Sequence, residues 1–171
     1  MQMSDSRTIK APREVVFAAI LDPEVLKQCV PGCTEMSGSA DEGFEATVTQ
    51  KVGPVKATFK GQVTLSEMDP PNTVKLEGEG KGGAAGFAKG GAVVRLEEAE
   101  EGTLLHYDVE AKVGGKLAQL GSRIIDGFAK KMADQFFQNF QEAVEGPSET
   151  GEAETAQAEP EKKGWFKKIT G

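Results

Sequence analysis

Between Leu117 and Ala143 an apolar side chain returns at every fourth position, through Leu120, Ile124, Phe128, Met132, Phe136 and Phe140, with Ile125 and Phe137 widening the stripe. That period marks one face of an α-helix. Roughly 28 residues at about 1.5 Å each make a rod near 40 Å long. The opposite side carries Arg123, Lys130, Lys131, Gln138 and Glu142, which belong in water. A helix of this kind must lie against an apolar surface of comparable length, and the rest of the chain has to supply it.

The stretch from Thr34 to Val113 does so. Val55, Ala57, Phe59, Gly61, Val63 and Leu65 alternate with Lys56, Thr58, Lys60, Gln62 and Thr64; Leu105, Tyr107, Val109, Ala111 and Val113 alternate with His106, Asp108, Glu110 and Lys112. One face is apolar and the other wet, as in an antiparallel sheet. Six strands are expected: Thr34 to Ser39, Phe44 to Val52, Val55 to Met68, Thr73 to Gly80, Phe87 to Glu97 and Thr103 to Val113. Asp69-Pro70-Pro71-Asn72 and Glu100-Glu101-Gly102 are the clearest turns between them. Ahead of these come a strand around Ser6 to Lys10 and a helix from Pro12 to Leu21. Asp22-Pro23 breaks that helix, and a second short one over Glu24 to Val30 ends at Pro31-Gly32. This order predicts an α+β fold: a curved antiparallel β-sheet wrapped around a long C-terminal helix, with two short helices after the first strand.

Several patterns that carry chemistry elsewhere read here as structure. Cys29 and Cys33 bracket the Pro31-Gly32 turn. Their spacing misses the C-x-x-C redox pattern, and zinc takes about four ligands, whereas the chain adds only His106 and carboxylates. A turn is therefore expected rather than a thiol pair or metal site. His106 falls on the polar face beside Asp108, where a solvated pair is expected. Gly78-x-Gly80-x-x-Gly83 matches a dinucleotide fingerprint literally, but no helix of a βαβ unit follows it, so it reads as a flexible hairpin. The net charge of -7 argues against nucleic acid as a partner.

The sheet's inner face carries small residues. Gly61, Gly78 and Gly80 lie at inward positions near Ala57, Ala92 and Ala111. Two packings follow: an apolar cavity between sheet and helix, or a solid core filled by the phenylalanines. In the first, the expected ligand-binding residues are Phe59, Gly61, Val63, Leu76, Gly78, Gly80, Tyr107, Val109, Leu120, Ile124, Phe128 and Met132. Phe87 is expected to act as a gate, and Gly78→Leu to fill the space. Tyr107, the only tyrosine, offers a hydroxyl to a ligand carbonyl or to a backbone partner. Tyr107 and Gln50 are the only inward polar groups, too few for convergent acid-base chemistry. No catalytic residue and no metal site are expected.

Residues 1–145 are expected to form this domain. Residues 146–161, whose charged members are all acidic, have the composition of a disordered linker. In residues 162–171 the sign reverses: Lys162, Lys163, Lys167 and Lys168 surround Trp165, Phe166 and Ile169. Such a tail can lie on a membrane surface, each Lys near anionic lipid contributing about 1 kcal/mol; docking on the domain or on a partner is the alternative. The N-terminus lacks the apolar run of a secretory signal, and no segment reaches the roughly 18 apolar residues of a membrane span. The expected location is cytoplasmic, peripheral on the inner face of the cytoplasmic membrane.

The stretches "IKAPREVVFAAILDPEVLKQCVPGC", "KVGPVKATFKGQVTL", "GEGKGGAAGFAKGGA" and "KVGGKLAQLGSRIIDGFAKKMADQFFQNF" together resemble the carbon monoxide dehydrogenase G-subunit family, within the SRPBCC or START-like helix-grip superfamily. The resemblance covers about Met3 to Val144. It implies a helix-grip fold and a non-catalytic accessory that recruits a molybdenum-containing hydroxylase to the cytoplasmic membrane. Joined to the cavity, it suggests a quinone or other lipid-like hydrophobic small molecule as bound ligand, with no resident cofactor. The rival readings are an assembly or docking factor without a ligand, and an enzyme acting on aromatic or polyketide substrates, as some superfamily members do.

Overall fold

The computed structural model describes residues 1–146; the linker and tail readings lie outside the described residues, apart from Gly146. The elements are β1 (Gln2–Ile9), α1 (Arg13–Ile20), α2 (Pro23–Cys29), β2 (Cys33–Ser39), β3 (Gly43–Val52), β4 (Val55–Asp69), β5 (Thr73–Lys81), β6 (Phe87–Ala99), β7 (Gly102–Gly114), α3 (Lys116–Gln119) and α4 (Ser122–Glu145). A single 3-10 turn, Gly83–Ala85, joins β5 to β6. The seven strands form one sheet in the order β1-β7-β6-β5-β4-β3-β2, antiparallel throughout. β2 to β7 follow in sequence by hairpins, while the two short helices carry the chain from β1 at one edge to β2 at the other.

Two elements differ from the sequence expectation. β1 is longer, pairing with β7 from Gln2 opposite Glu110 to Ile9 opposite Thr103; its polar residues hide the strand because the pairing depends on backbone groups. The single C-terminal helix is divided. Gly121, with φ of 89°, takes a left-handed conformation that ends the short α3 and starts α4. The 24 residues of α4 span about 36 Å.

The solid core sits at the C-terminal end of α4. Phe140 is fully buried, together with Val16, Ile9 and Leu105. Phe137 stacks on Tyr107 with ring centroids 4.7 Å apart. Arg7 secures β1 to this end: its guanidinium lies 5.4 Å from the Phe137 ring centroid and donates to Asp134 at 2.6 Å. Buried Thr103 donates from Oγ1 to the Ala11 carbonyl at 2.7 Å. α2 starts where the sequence places it, with Asp22 Oδ1 accepting from the Glu24 amide at 2.9 Å and Pro23 in the first turn.

Both cysteines are free, Cys29 buried and Cys33 partly so. Burial pushes the Cys29 thiol up to about 11, so the unfolded chain, with its ordinary value near 9, ionises first as pH rises. The contribution is intact below pH 9 and lost as pH climbs through about 11. Urea unfolding of the wild type and Cys29→Ala should therefore diverge between these limits, with the wild type losing on the order of 2 kcal/mol more. Parallel pH profiles would refute the assignment.

Candidate functional site

Period-two alternation sends the even residues of β3, β5 and β6 and the odd residues of β4 and β7 to the face that α4 covers. Helix and sheet meet firmly at the Phe140 end and diverge toward the start of α4. Between them lies a cavity of about 520 Å³, within the ~300–1,000 Å³ range of small-molecule sites. The sheet contributes Val48, Val52, Phe59, Leu76, Ala88, Ala92, Val94, Val109, Ala111 and Val113 to its wall. Ile125, Phe128, Ala129, Met132, Ala133 and Phe136 line it from α4, while Leu26, Val30 and Pro31 close it beside α2. Only two lining side chains are polar, Gln50 and Tyr107.

Gln50 is held by the turn before β2. The Gln50 amide nitrogen donates to the Pro31 carbonyl, and the Thr49 amide donates to Gly32 O at 3.0 Å. The turn between the cysteines is thus a latch between α2 and β3 that also forms cavity wall. Burial raises the Tyr107 pKa, with Asp5 adding to the effect and Arg7 opposing it. Tyr107 stays a neutral hydroxyl at neutral pH and can donate a hydrogen bond.

The structure sorts the residues singled out in the sequence. Phe59, Leu76, Tyr107, Val109, Phe128 and Met132 line the cavity; Gly61, Val63, Gly78, Gly80, Phe87, Leu120 and Ile124 do not. At Gly61 an added β-carbon would lie 2.8 Å from the Glu79 carbonyl oxygen, and at Gly78 it would lie 3.2 Å from Val63 Cγ2. These glycines let neighbouring strands approach closely and do not vacate ligand space, so Gly78→Leu is no cavity filler. Leu120 and Ile124 flank the β3–β4 turn instead, with Ile124 Cγ2 3.6 Å from the β position of Gly53. The break at Gly121 resets the helix, and Ile125 faces inward. Phe87 lies on the outer face across Gly114, with its Cζ 2.6 Å from that residue's β position, so it is no gate. Val48, Val52, Ala88 and Ala92 were open to the same alternation argument; the contribution of α2 had no sequence signal.

His106 and Asp108 do not pair with one another. His106 Nε2 lies 2.8 Å from a Glu97 carboxylate oxygen, whereas Asp108 accepts from Ser4. The Gly78-x-Gly80-x-x-Gly83 run enters the 3-10 turn of a β-hairpin, which lacks the helix that would receive a pyrophosphate. Among the described residues no cluster of three or more His, Cys, Asp or Glu could hold a metal ion. Among them, too, no helix is long and apolar enough to cross a membrane.

A sequence model of the carbon monoxide dehydrogenase G-subunit (CoxG) matches residues 6–145, from within β1 to the end of α4. The chain belongs to the CoxG family. No curated protein sequence matches it. Among solved structures, this CoxG-family chain is similar to a conserved protein from Geobacillus kaustophilus, at 29% identity and a TM-score of 0.78, covering 85% of this chain and 95% of that one. It also resembles protein CV1439 from Chromobacterium violaceum, at 18% identity and TM-score 0.62, with 85% and 99% coverage. A third is TTHA0849 from Thermus thermophilus, at 15% identity and TM-score 0.63, with 84% and 97% coverage. The latter two likenesses concern fold alone: a helix-grip architecture spanning nearly the whole of each neighbour.

Proposed function

We propose that this CoxG-family protein is a non-catalytic accessory of a molybdenum-containing hydroxylase of the carbon monoxide dehydrogenase type, carrying a quinone or similar lipid-like molecule and bringing the enzyme to the cytoplasmic membrane. The observation that carries the ligand reading is the cavity wall: 28 lining residues with two polar side chains. Such a wall favours a largely apolar ligand through burial, at about 25 cal/mol per Å². It leaves Gln50 and Tyr107 to orient one or two carbonyl oxygens, as a quinone head would require. Neither forms the convergent acid-base constellation of a catalytic pocket, which supports a carrier over an enzyme. The link to the hydroxylase rests on family membership. Membrane attachment is read from the sequence of Lys162, Lys163, Trp165, Phe166, Lys167, Lys168 and Ile169.

Native mass spectrometry of the gently purified full chain tests the ligand step. The expected spectrum shows a mass increment that solvent extraction identifies as an isoprenoid or lipid. A clean unliganded mass that also resists an added short-chain quinone would overturn the carrier reading in favour of a docking adaptor.

A further inference from the structure

The end of the cavity beside the start of α4 is closed by three segments, residues 51–56, 81–89 and 112–124. Their charged residues are Lys51, Lys56, Lys81, Lys89, Lys112, Lys116 and Arg123, with no acid among them, in a chain whose net charge is -7. Glu79, Glu110 and Asp126 stand just beyond the segments. The sheet register and close contacts bring the three together. Phe87 pairs with Lys81 on one side and Gly114 on the other, and Gly53 lies against Leu120 and Ile124. Gly82 sits over Phe59, whose Cδ1 is 2.7 Å from the glycine's β position.

All seven basic side chains are exposed, and among the described residues none makes an ion pair. Lys51 stands directly opposite Lys56, while Lys89 stands opposite Lys112 on one side and Glu79 on the other. Like charges across a strand pair repel, a cost that an external anion would relieve. Among them project Phe87 and Ile124, each 42% exposed. Six of the seven cations are lysine, a residue depleted from protein–protein interfaces; lysine around isolated apolar side chains suits the headgroup layer of a bilayer. Directly beneath lie Val52, Phe59, Val113, Leu117 and Ile125 of the cavity wall.

We propose that this basic, apolar tip is an anionic-lipid contact surface, separate from the C-terminal tail, that sets the end of the cavity against the bilayer. The proposal deepens the carrier reading, and its test uses vesicles free of quinone so that the two can fail separately. In the full chain carrying Trp165→Phe and Ile124→Trp, the only tryptophan reports from the tip. Its emission should shift to the blue and be quenched by brominated lipid on phosphatidylglycerol-containing vesicles, not on phosphatidylcholine alone. Raising salt to about 0.5 M should reverse the shift as charge screening shortens its reach. Lys51→Glu with Lys56→Glu should lower partition about 30-fold or more with an unchanged thermal melt.

An unshifted tip tryptophan, when wild-type Trp165 does shift on the same vesicles, would overturn the proposal. So would charge reversal that leaves partition unchanged, including the case in which it abolishes capture of the hydroxylase and thereby shows the tip to face protein.

Discussion

Ala92→Phe should abolish ligand uptake while leaving the domain folded. Ala92 sits in β6 between Leu76 and Val109 in the paired strands, and all three line the cavity. A benzyl group there extends into space that no protein atom occupies. Overpacking a filled core costs about 1–3 kcal/mol; filling an existing void avoids most of that strain and adds dispersion contacts. The expected melting temperature is within a few degrees of wild type, and occupancy by an added short-chain quinone should fall about 100-fold or more, equivalent to losing roughly 3 kcal/mol of binding. Retained occupancy would mean that the ligand sits elsewhere. A collapse in stability would mean that the space is filled in solution by rearranged phenylalanines. Gly78→Leu is the contrasting variant, since its side chain would meet Val63 rather than the cavity, and ligand occupancy should survive it in whatever fraction stays folded.

The fold was largely legible because its signals are periodic. Alternation from Thr34 to Val113 located six strands to within a few residues of their observed ends, and the stripe from Phe128 to Phe140 placed the gripped helix. The full length of polar β1 is hidden because its pairing with β7 uses main-chain groups that the sequence does not display. The break at Gly121 is hidden in the sequence because Leu120 and Ile124 continue the apolar spacing across a residue whose φ of 89° is visible only in three dimensions. The consequence reaches the site: unbroken spacing points Ile124 inward, whereas Ile125 occupies the wall. The cavity itself was legible only as an alternative to a solid core, since total side-chain volume does not say where helix and sheet diverge. Its small wall residues are the alanines Ala88, Ala92, Ala111, Ala129 and Ala133. Inward-facing glycines suggest the same space from the sequence, yet Gly61 and Gly78 make their close contacts between strands.

That distinction yields a stability experiment with a large expected effect. Gly90 in β6 pairs with Gly78 on one side and Ala111 on the other. A β-carbon at Gly90 would collide with the Glu110 carbonyl oxygen and lie 2.8 Å from Ala111 Cα, both backbone atoms that cannot swing aside as a side chain would. At Gly80 the same addition meets only Phe59 Cβ, at 3.8 Å, an ordinary contact. Gly90→Ala must therefore move β6 and β7 apart, disturbing ladder hydrogen bonds at the centre of the pair, and should cost about 3 kcal/mol or more. In a chain of this size that lowers the melting temperature by roughly 6–12 °C. Gly80→Ala should stay within about 1 kcal/mol of wild type. If the glycines instead served to vacate ligand space, both substitutions would be tolerated and both would reduce occupancy. Close strand approach predicts unequal stability, with Gly80→Ala leaving ligand binding intact.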